Sequence, residues 1–271
     1  MSRHYTSIIS SIFGKFANTS FPLTLQYIIN RFYIYSMGLD MSDFKSPCEY
    51  RTLNKLFTRE LIKTREIPTD ENIIISPCDA RISDYGKIKY GKAYQIKGME
   101  YSLDELLGDN YKDRVDTLED GDFVNMYLSP KDYHRYHIPM DLKIHSLTHI
   151  AGKLYPVNFP LLLNKQNLFI ENERVVIECE DSRGFIHFLV LVGALNVGKM
   201  VVSFEDRVNT NSSITTPQYY EYKDLSMSQG ELLGWFEMGS TILMFSQNGA
   251  LISEVAINQK IRFTQRIGVK R

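Results

Sequence analysis

Apolar residues near the start of the chain fall at Tyr5, Ile8, Ile9, Ile12, Phe13 and Phe16, the i, i+3, i+4, i+7 stripe of an amphipathic helix. Pro22 breaks the pattern, and a second stretch from Leu23 to Tyr35 sets Tyr27, Ile28, Phe32 and Tyr33 at helix-compatible spacing. A third helical segment is predicted around Tyr50 to Thr64, with Leu53, Leu56, Phe57 and Leu61 on one face. Beyond it the period changes. Short runs rich in β-branched and aromatic residues predict strands at 73–76, 121–128, 174–180, 185–192, 199–204, 241–245, 250–256 and 260–263. Gln247-Asn248-Gly249, set between two apolar runs, reads as a hairpin turn. One short helix is expected at 102–107, capped by Ser102 with Glu105 at the capping-box position. With no fixed-period repeat and no low-complexity linker, the pattern predicts an α+β fold. Its body, residues 41–271, is predominantly antiparallel β, compact and barrel- or sandwich-like, and residues 1–40 form N-terminal amphipathic helices.

A chain of 271 residues that is 44% hydrophobic and 23% charged can bury a core without staples, which excludes disorder and a disulfide-dense scaffold. The net charge of −1 argues against nucleic-acid binding. That near-neutrality hides an uneven distribution: the first acidic residue is Asp40, whereas Arg3, Lys15 and Arg31 precede it. Positive charge beside a face of Ile and Phe suits a helix lying in an anionic lipid interface, and equally a helical pair packed on the body. The uncharged stretch from Phe16 to Asn30 contains Asn, Thr, Ser, Pro and Gln and falls short of the ~20 apolar residues a span needs, so no spanning helix and no secretory signal are expected. Cys48, Cys78 and Cys179 have no ligand-like spacing, which suits inert thiols in a reducing compartment.

Four places could carry chemistry. Ser76-Pro77-Cys78-Asp79-Ala80-Arg81 follows an apolar run, and Asp79 could orient a histidine or simply bond its own turn. In Tyr127-Leu128-Ser129-Pro130-Lys131-Asp132-Tyr133-His134-Arg135-Tyr136-His137-Ile138-Pro139, two histidines stand three apart. His145 and His149 follow, but no carboxylate or Cys sits at ligand spacing, so proton transfer by His134 or His137 is favoured over a metal, against the plain alternative of a packed corner. Val192-Gly193-Ala194-Leu195-Asn196-Val197-Gly198-Lys199 is no P-loop, because Met200 stands where Ser or Thr is required. Finally, Glu237-Met238-Gly239-Ser240-Thr241 precedes an apolar run. It is an ordinary turn, or a peptide in which the Ser240 hydroxyl attacks the uncrowded carbonyl of Gly239.

In this order and spacing the four stretches resemble the phosphatidylserine decarboxylase family in its short prokaryotic form. Supporting matches are Gln95-Ile96-Lys97-Gly98 before Tyr101-Ser102-Leu103, Leu154-Tyr155-Pro156-Val157-Asn158, and Leu168-Phe169-Ile170-Glu171-Asn172-Glu173-Arg174-Val175. The resemblance runs from Phe57-Thr58-Arg59-Glu60-Leu61 to the end and is weakest over the first forty residues. Two positions depart from the family pattern: Cys78-Asp79-Ala80 replaces Ala-Asp-Gly, and Met238 replaces Leu before Gly239-Ser240-Thr241. Ala80 restricts the turn if φ > 0 is needed there.

Decarboxylating an α-amino acid requires an electron sink that no ordinary side chain offers. The resemblance implies that the chain makes one from its own backbone. His137, oriented by Asp79, would take the Ser240 proton, and an N-to-O acyl shift and β-elimination would split the chain into a β chain of residues 1–239 and an α chain of residues 240–271. Position 240 would become a covalent pyruvoyl group, without metal or pyridoxal phosphate, that takes the serine amine of phosphatidylserine as a Schiff base and yields phosphatidylethanolamine. His134 would act on substrate as proton donor or headgroup contact. The resemblance further implies paired α and β chains, a homodimer, and a peripheral position on the cytoplasmic face of the cell membrane. The residues alone leave open a pyruvoyl decarboxylase for a soluble amino acid, a serine hydrolase triad, and a non-catalytic lipid-binding homologue that does not mature.

Overall fold

The computed structural model describes residues 5–96, 99–157, 164–195, 199–212, 214–237 and 240–271. Elements are numbered in chain order. Helix α1 spans Tyr5–Asn18 and α2 spans Leu23–Met37. Pro22 precedes α2, where its missing N–H costs nothing, and Gly38 ends the helix at φ 66°, returning its N–H to the carbonyls of Ile34 and Tyr35. The third helix, α3, is only Leu53–Phe57, capped by Thr52. It is shorter than its apolar spacing predicts because Leu61 is used otherwise, bridging to Phe44 in an antiparallel contact. Helix α4, Leu103–Leu107, forms with Ser102 as its cap, as expected.

Among the described residues, sixteen strands pair, all antiparallel. The large sheet runs, edge to edge, β11 (Gln218–Met227), β7 (Leu142–Ile150), β8 (Arg174–Asp181), β9 (Ile186–Val192), β13 (Ser240–Ser246), β5 (Asp122–Leu128), β2 (Ala80–Lys87) and β15 (Lys260–Ile261). A three-stranded sheet orders β1 (Ile73–Ile75), β16 (Arg266–Lys270) and β14 (Leu251–Ser253). A second orders β10 (Met200–Val202), β12 (Leu232–Phe236) and β6 (Arg135–His137), and β3 (Lys92–Ile96) pairs with β4 (Met99–Ser102). The architecture is the expected α+β, dominated by antiparallel sheet.

Strand β13 is buried along Thr241–Ser246 because β5 and β9 hold both its edges. Such a strand reads as a continuous apolar run rather than an alternating one. This corrects the expected hairpin at 247–249. The tight turn is present, closed by Ala250 N–H to Gln247 O at 3.0 Å with Gly249 at φ 83°. With no free edge on β13, the following run leaves to pair with β16 in another sheet. Strands β7 and β11, which the apolar runs did not announce, carry Lys, His, Tyr and Glu at positions facing outward or into polar pairs.

One large core packs against the main sheet. A separate apolar cluster of Ala17, Tyr33, Leu39, Leu53, Leu56 and Phe57 joins the N-terminal helices to α3. Between the two lies a small group of Phe44, Ile75, Tyr133 and Phe263.

Candidate active site

The register of β13 brings the sequence candidates together. Ser240 opens that strand opposite Leu128, the last residue of β5. The chain then turns through Ser129–Asp132, fixed by the Ser129 N–H donating to Asp132 Oδ2 at 2.7 Å, and delivers Tyr133 and His134 ahead of β6. From the other side β12 approaches Ser240, with Phe236 N–H donating to His134 O at 2.9 Å. His137 N–H donates to Pro77 O at 2.8 Å, which seats the 76–81 turn, and with it Asp79, beside β6. Gly239 lies outside the described residues, and Ser240 contributes here through its backbone.

Both histidines are buried, and their hydrogen bonds fix their tautomers. His137 Nδ1 lies 2.9 Å from Gly230 O. A carbonyl only accepts, so the proton is on Nδ1 and the Nε2 lone pair accepts from Tyr133 O–H at 3.0 Å. Its ring stacks on Phe263 at 3.8 Å between centroids, with Tyr133 at 5.8 Å. Burial lowers its pKa to about 4, opposed by the Gly230 bond and reinforced by the positive charges of Arg135 and Arg65. His134 Nδ1 donates to Asp132 O at 2.8 Å, and its ring meets Phe57 of α3 at 4.0 Å. Its Nε2 is buried with no hydrogen-bond partner among the described residues. Burial first, and the charge of Arg59 second, lower its pKa to about 3. Both rings are therefore neutral at physiological pH, with their basic nitrogens at Nε2.

Asp79 does not bond His137. Its carboxylate receives two N–H bonds from Arg65, at 2.5 and 3.0 Å, and a third from Phe263 N–H at 2.7 Å. Asp43 completes the clamp, accepting from Arg65 at 3.1 Å and from Arg262 at 2.5 Å. The group that holds His137 Nε2 is Tyr133, which also lines a cavity of about 480 Å³ together with Asp79, Arg65, Tyr127 and Ser129. Tyr133 lay inside the motif already singled out. Arg65, by contrast, stands alone between Thr64 and Glu66, with no local pattern to mark it.

Among the described residues, the other histidines belong to the sheet. His145 pairs with Glu180 of β8 at 2.7 Å, and His149 with Glu173, the residue before β8, at 2.8 Å. His187 Nδ1 lies 2.8 Å from Ser246 Oγ and its Nε2 3.6 Å from Asp181. This Ser–His–Asp order resembles a hydrolase triad, yet all three are sealed in the core. Their role is to pin β13 to β8 and β9.

Residues 53–269 match the phosphatidylserine decarboxylase family. Among curated proteins, the chain is similar to the phosphatidylserine decarboxylase proenzyme of Campylobacter jejuni, 43% identical over 95% of this chain and 97% of the relative. It is likewise similar to the proenzymes of Helicobacter pylori, 42% identical over 97% of each chain, and of Marinobacter nauticus, 34% identical over 90% of this chain and 86% of the relative.

Proposed function

The chain belongs to the phosphatidylserine decarboxylase family, and from that premise we propose the parts its residues play. The protein is an enzyme that decarboxylates phosphatidylserine to phosphatidylethanolamine. Our reading is that it generates its own pyruvoyl group by splitting between Gly239 and Ser240, with His137 as the base. The observation that carries this reading is the β13–β5 register, which sets Ser240 opposite Leu128 at the head of the turn leading to His134 and His137.

The surroundings suit a polar group formed at position 240. Ser129 Oγ, Thr241 Oγ1 and His134 Nε2 are all buried without hydrogen-bond partners among the described residues. Buried polar atoms left unpaired are costly, and the two hydroxyls can donate to a carbonyl formed at this end of β13, whereas His134 Nε2 can only accept. A pyruvoyl group supplies the sink that takes up the electron pair when CO₂ leaves. The protein's own part is to hold the serine headgroup, exclude water and return a proton to Cα. His134 suits the first task, because its ring is held by Asp132 and Phe57 while Nε2, an acceptor in the neutral ring, stays free to take an N–H from the serine amine. Asp79 acts on His137 through charge, which favours the imidazolium formed when the base takes its proton.

Helix α2 is inside out. On α2 the buried residues are Gln26, Asn30 and Tyr33; Asn30, 0% exposed, donates to Pro47 O and Tyr50 O and accepts from Gln26. The outward face carries Leu23, Ile28, Phe32 at 71% exposure and Tyr35 at 88%, and α1 adds Ile12 and Phe16. A helix that buries amides and exposes aromatics fits a lipid interface better than water. Six such side chains at about 1.5 kcal/mol each contribute roughly 9 kcal/mol. That corresponds to an association constant of about 10⁶ to 10⁷ M⁻¹. No described helix is long and apolar enough to cross a membrane. Peripheral attachment at the cytoplasmic face therefore completes the reading, with residues 1–40 as the anchor and 41–271 as the catalytic body. Assembly as a homodimer is carried over from the family, and sedimentation at about twice 31.4 kDa would bear it out.

The experiment is intact-mass analysis of the purified protein beside Ser240→Ala and His137→Ala. The wild type should give two fragments meeting at Gly239/Ser240 with a blocked N-terminus on the smaller, and each variant one full-length chain. Normal splitting of either variant sinks the proposed chemistry.

A further inference from the structure

The cavity beside Asp79 carries more positive charge than the clamp around that carboxylate uses. Arg65 and Arg262 are neutralised by Asp43 and Asp79. Arg59 is different. It is 2% exposed, its guanidinium lies over the Phe44 ring at 4.4 Å, and Nη2 donates to the carbonyls of Lys131 and Asp132 at 2.8 and 3.1 Å. Its Nε and Nη1 are buried with no hydrogen-bond partner, and it pairs with no carboxylate among the described residues. At the rim, Lys131 and Lys260 are exposed and make no ion pair among the described residues. Asp40 and Asp132 also line the cavity, but with Arg81 the cations still outnumber the acids. A buried guanidinium with unpartnered N–H groups beside two ammonium groups that make no ion pair suits an oxyanion.

The cavity's position says which oxyanion. One wall is the segment from Gly38 to Phe44, which leaves the end of α2 and its lipid-facing side chains. The opposite wall is Tyr127 and Ser129, flanking the Leu128 that pairs with Ser240. The cations thus lie in a cavity bordered by the segment that follows the lipid-facing helix and by residues of the strand that pairs with Ser240, which suits a headgroup that presents phosphate first and serine second. The α-carboxylate is the poorer occupant. A guanidinium paired with the departing carboxylate stabilises the ground state and opposes loss of CO₂, whereas a phosphodiester keeps its charge throughout the reaction.

We propose that Arg59, Lys131 and Lys260 form the phosphodiester subsite of the headgroup, a reading that rests on the decarboxylase function given above. Because this charge is the same in ground and transition states, the contacts act on KM and leave kcat alone.

The test uses the mature enzyme and dihexanoyl phosphatidylserine below its micelle concentration, which removes general attraction to an anionic membrane. CO₂ release is followed for wild type, Lys131→Gln, Lys260→Gln and the double variant. Each single change should raise KM about fivefold and the double change about twenty-five-fold, with kcat within about twofold and splitting at 239/240 complete. Glycerol 3-phosphate and inorganic phosphate should compete with substrate on the wild type and lose that competition in the double variant. If only the glycerol ester competes, the subsite takes the lipid headgroup and excludes free phosphate. Arg59→Gln should act in the same direction and Arg59→Lys recover part of the loss, and if either fails to fold the two lysines carry the test. An unmoved KM in the double variant, or a fall in kcat at constant KM, overturns the subsite. A fully split wild type that releases no CO₂ from this substrate overturns the decarboxylase reading instead.

Discussion

If His137 is the base that takes the Ser240 proton, self-cleavage should be nearly independent of pH from 8 down to about 5. Burial against Tyr133 and Phe263 lowers the pKa of this imidazole to about 4. A group with that pKa is about 90% neutral at pH 5, whereas an ordinary imidazole of pKa about 6.5 is about 3% neutral. The two cases differ about thirtyfold in available base at that pH. A base this weak is a poor catalyst for repeated turnover. Self-cleavage happens once per molecule, so a slow step is tolerated. Precursor made by cell-free synthesis would be shifted into buffers from pH 8 to 4.5 and its splitting timed on denaturing gels. A rate that falls tenfold per unit below pH 6.5 would show that the base is a solvent-accessible imidazole and refute the assignment. A second signature comes from Tyr133, whose O–H bond to Nε2 favours the neutral ring. Tyr133→Phe should move the acid limb up by as much as about 1 pH unit, and an unchanged limb would mean that this bond is not made in the precursor.

Three other outcomes follow from the same geometry. The folded pKa values of His134 and His137, about 3 and about 4, lie below the unfolded value, so the unfolded chain binds protons first as pH falls. The stability they contribute is complete above about pH 6.5 and declines by roughly 5 kcal/mol by pH 4.5; a melting temperature unchanged between pH 7 and 4.5 would contradict this. Asp79→Asn keeps the bond from Phe263 N–H but weakens the charge pair with Arg65, so splitting should slow at least about tenfold while denaturant stability falls by about 1–3 kcal/mol; wild-type splitting kinetics would remove Asp79 from the mechanism. Replacing Ile28, Phe32 and Tyr35 by Ser should cut vesicle binding about two-thousandfold and leave splitting intact, and unchanged binding would place the anchor elsewhere.

The parts of the site that a sequence displays are those whose chemistry is local. The His134/His137 spacing, the Gly239-Ser240 peptide and Asp79 after an apolar strand are all visible as short patterns. What the patterns could not show is which side chain satisfies which. Asp79 finds Arg65, fourteen residues earlier, and Phe263, 184 residues later, because β1, β2 and the 262–265 turn converge. The role expected of Asp79 as a hydrogen-bond partner of His137 is filled by Tyr133 and Gly230 O. In the fold, the continuous apolar runs of β5, β8, β9 and β13 announced themselves, whereas β2, β6, β7 and β12, buried but interrupted by polar residues or glycine, did not, nor did β11, half of whose side chains face water. The N-terminal helices show the reverse problem. Their periodicity was legible, but periodicity reports only that two faces differ, and here the polar face of α2 is the one turned inward.

The proposed break before Ser240 leaves the ladders of β13 in place, so making the sink from backbone at this position is compatible with the fold. Residues 240–246 are paired with β5 and 241–246 with β9, so the strand that begins at the break is held on both edges. Further ties fasten the 240–271 segment from outside the sheet ladder. Arg183 donates to Ala250 O and Arg271 O at 2.6 Å, His187 meets Ser246, and Asp43 accepts from Arg262. The dependence runs the other way as well. Asp79 is positioned in part by Phe263 N–H, and His137 is stacked on the Phe263 ring. The residues proposed to cut the chain are thus oriented by the segment they release. Retention of that segment after cutting is a condition for an intact site, and the central place of β13 in the sheet meets it.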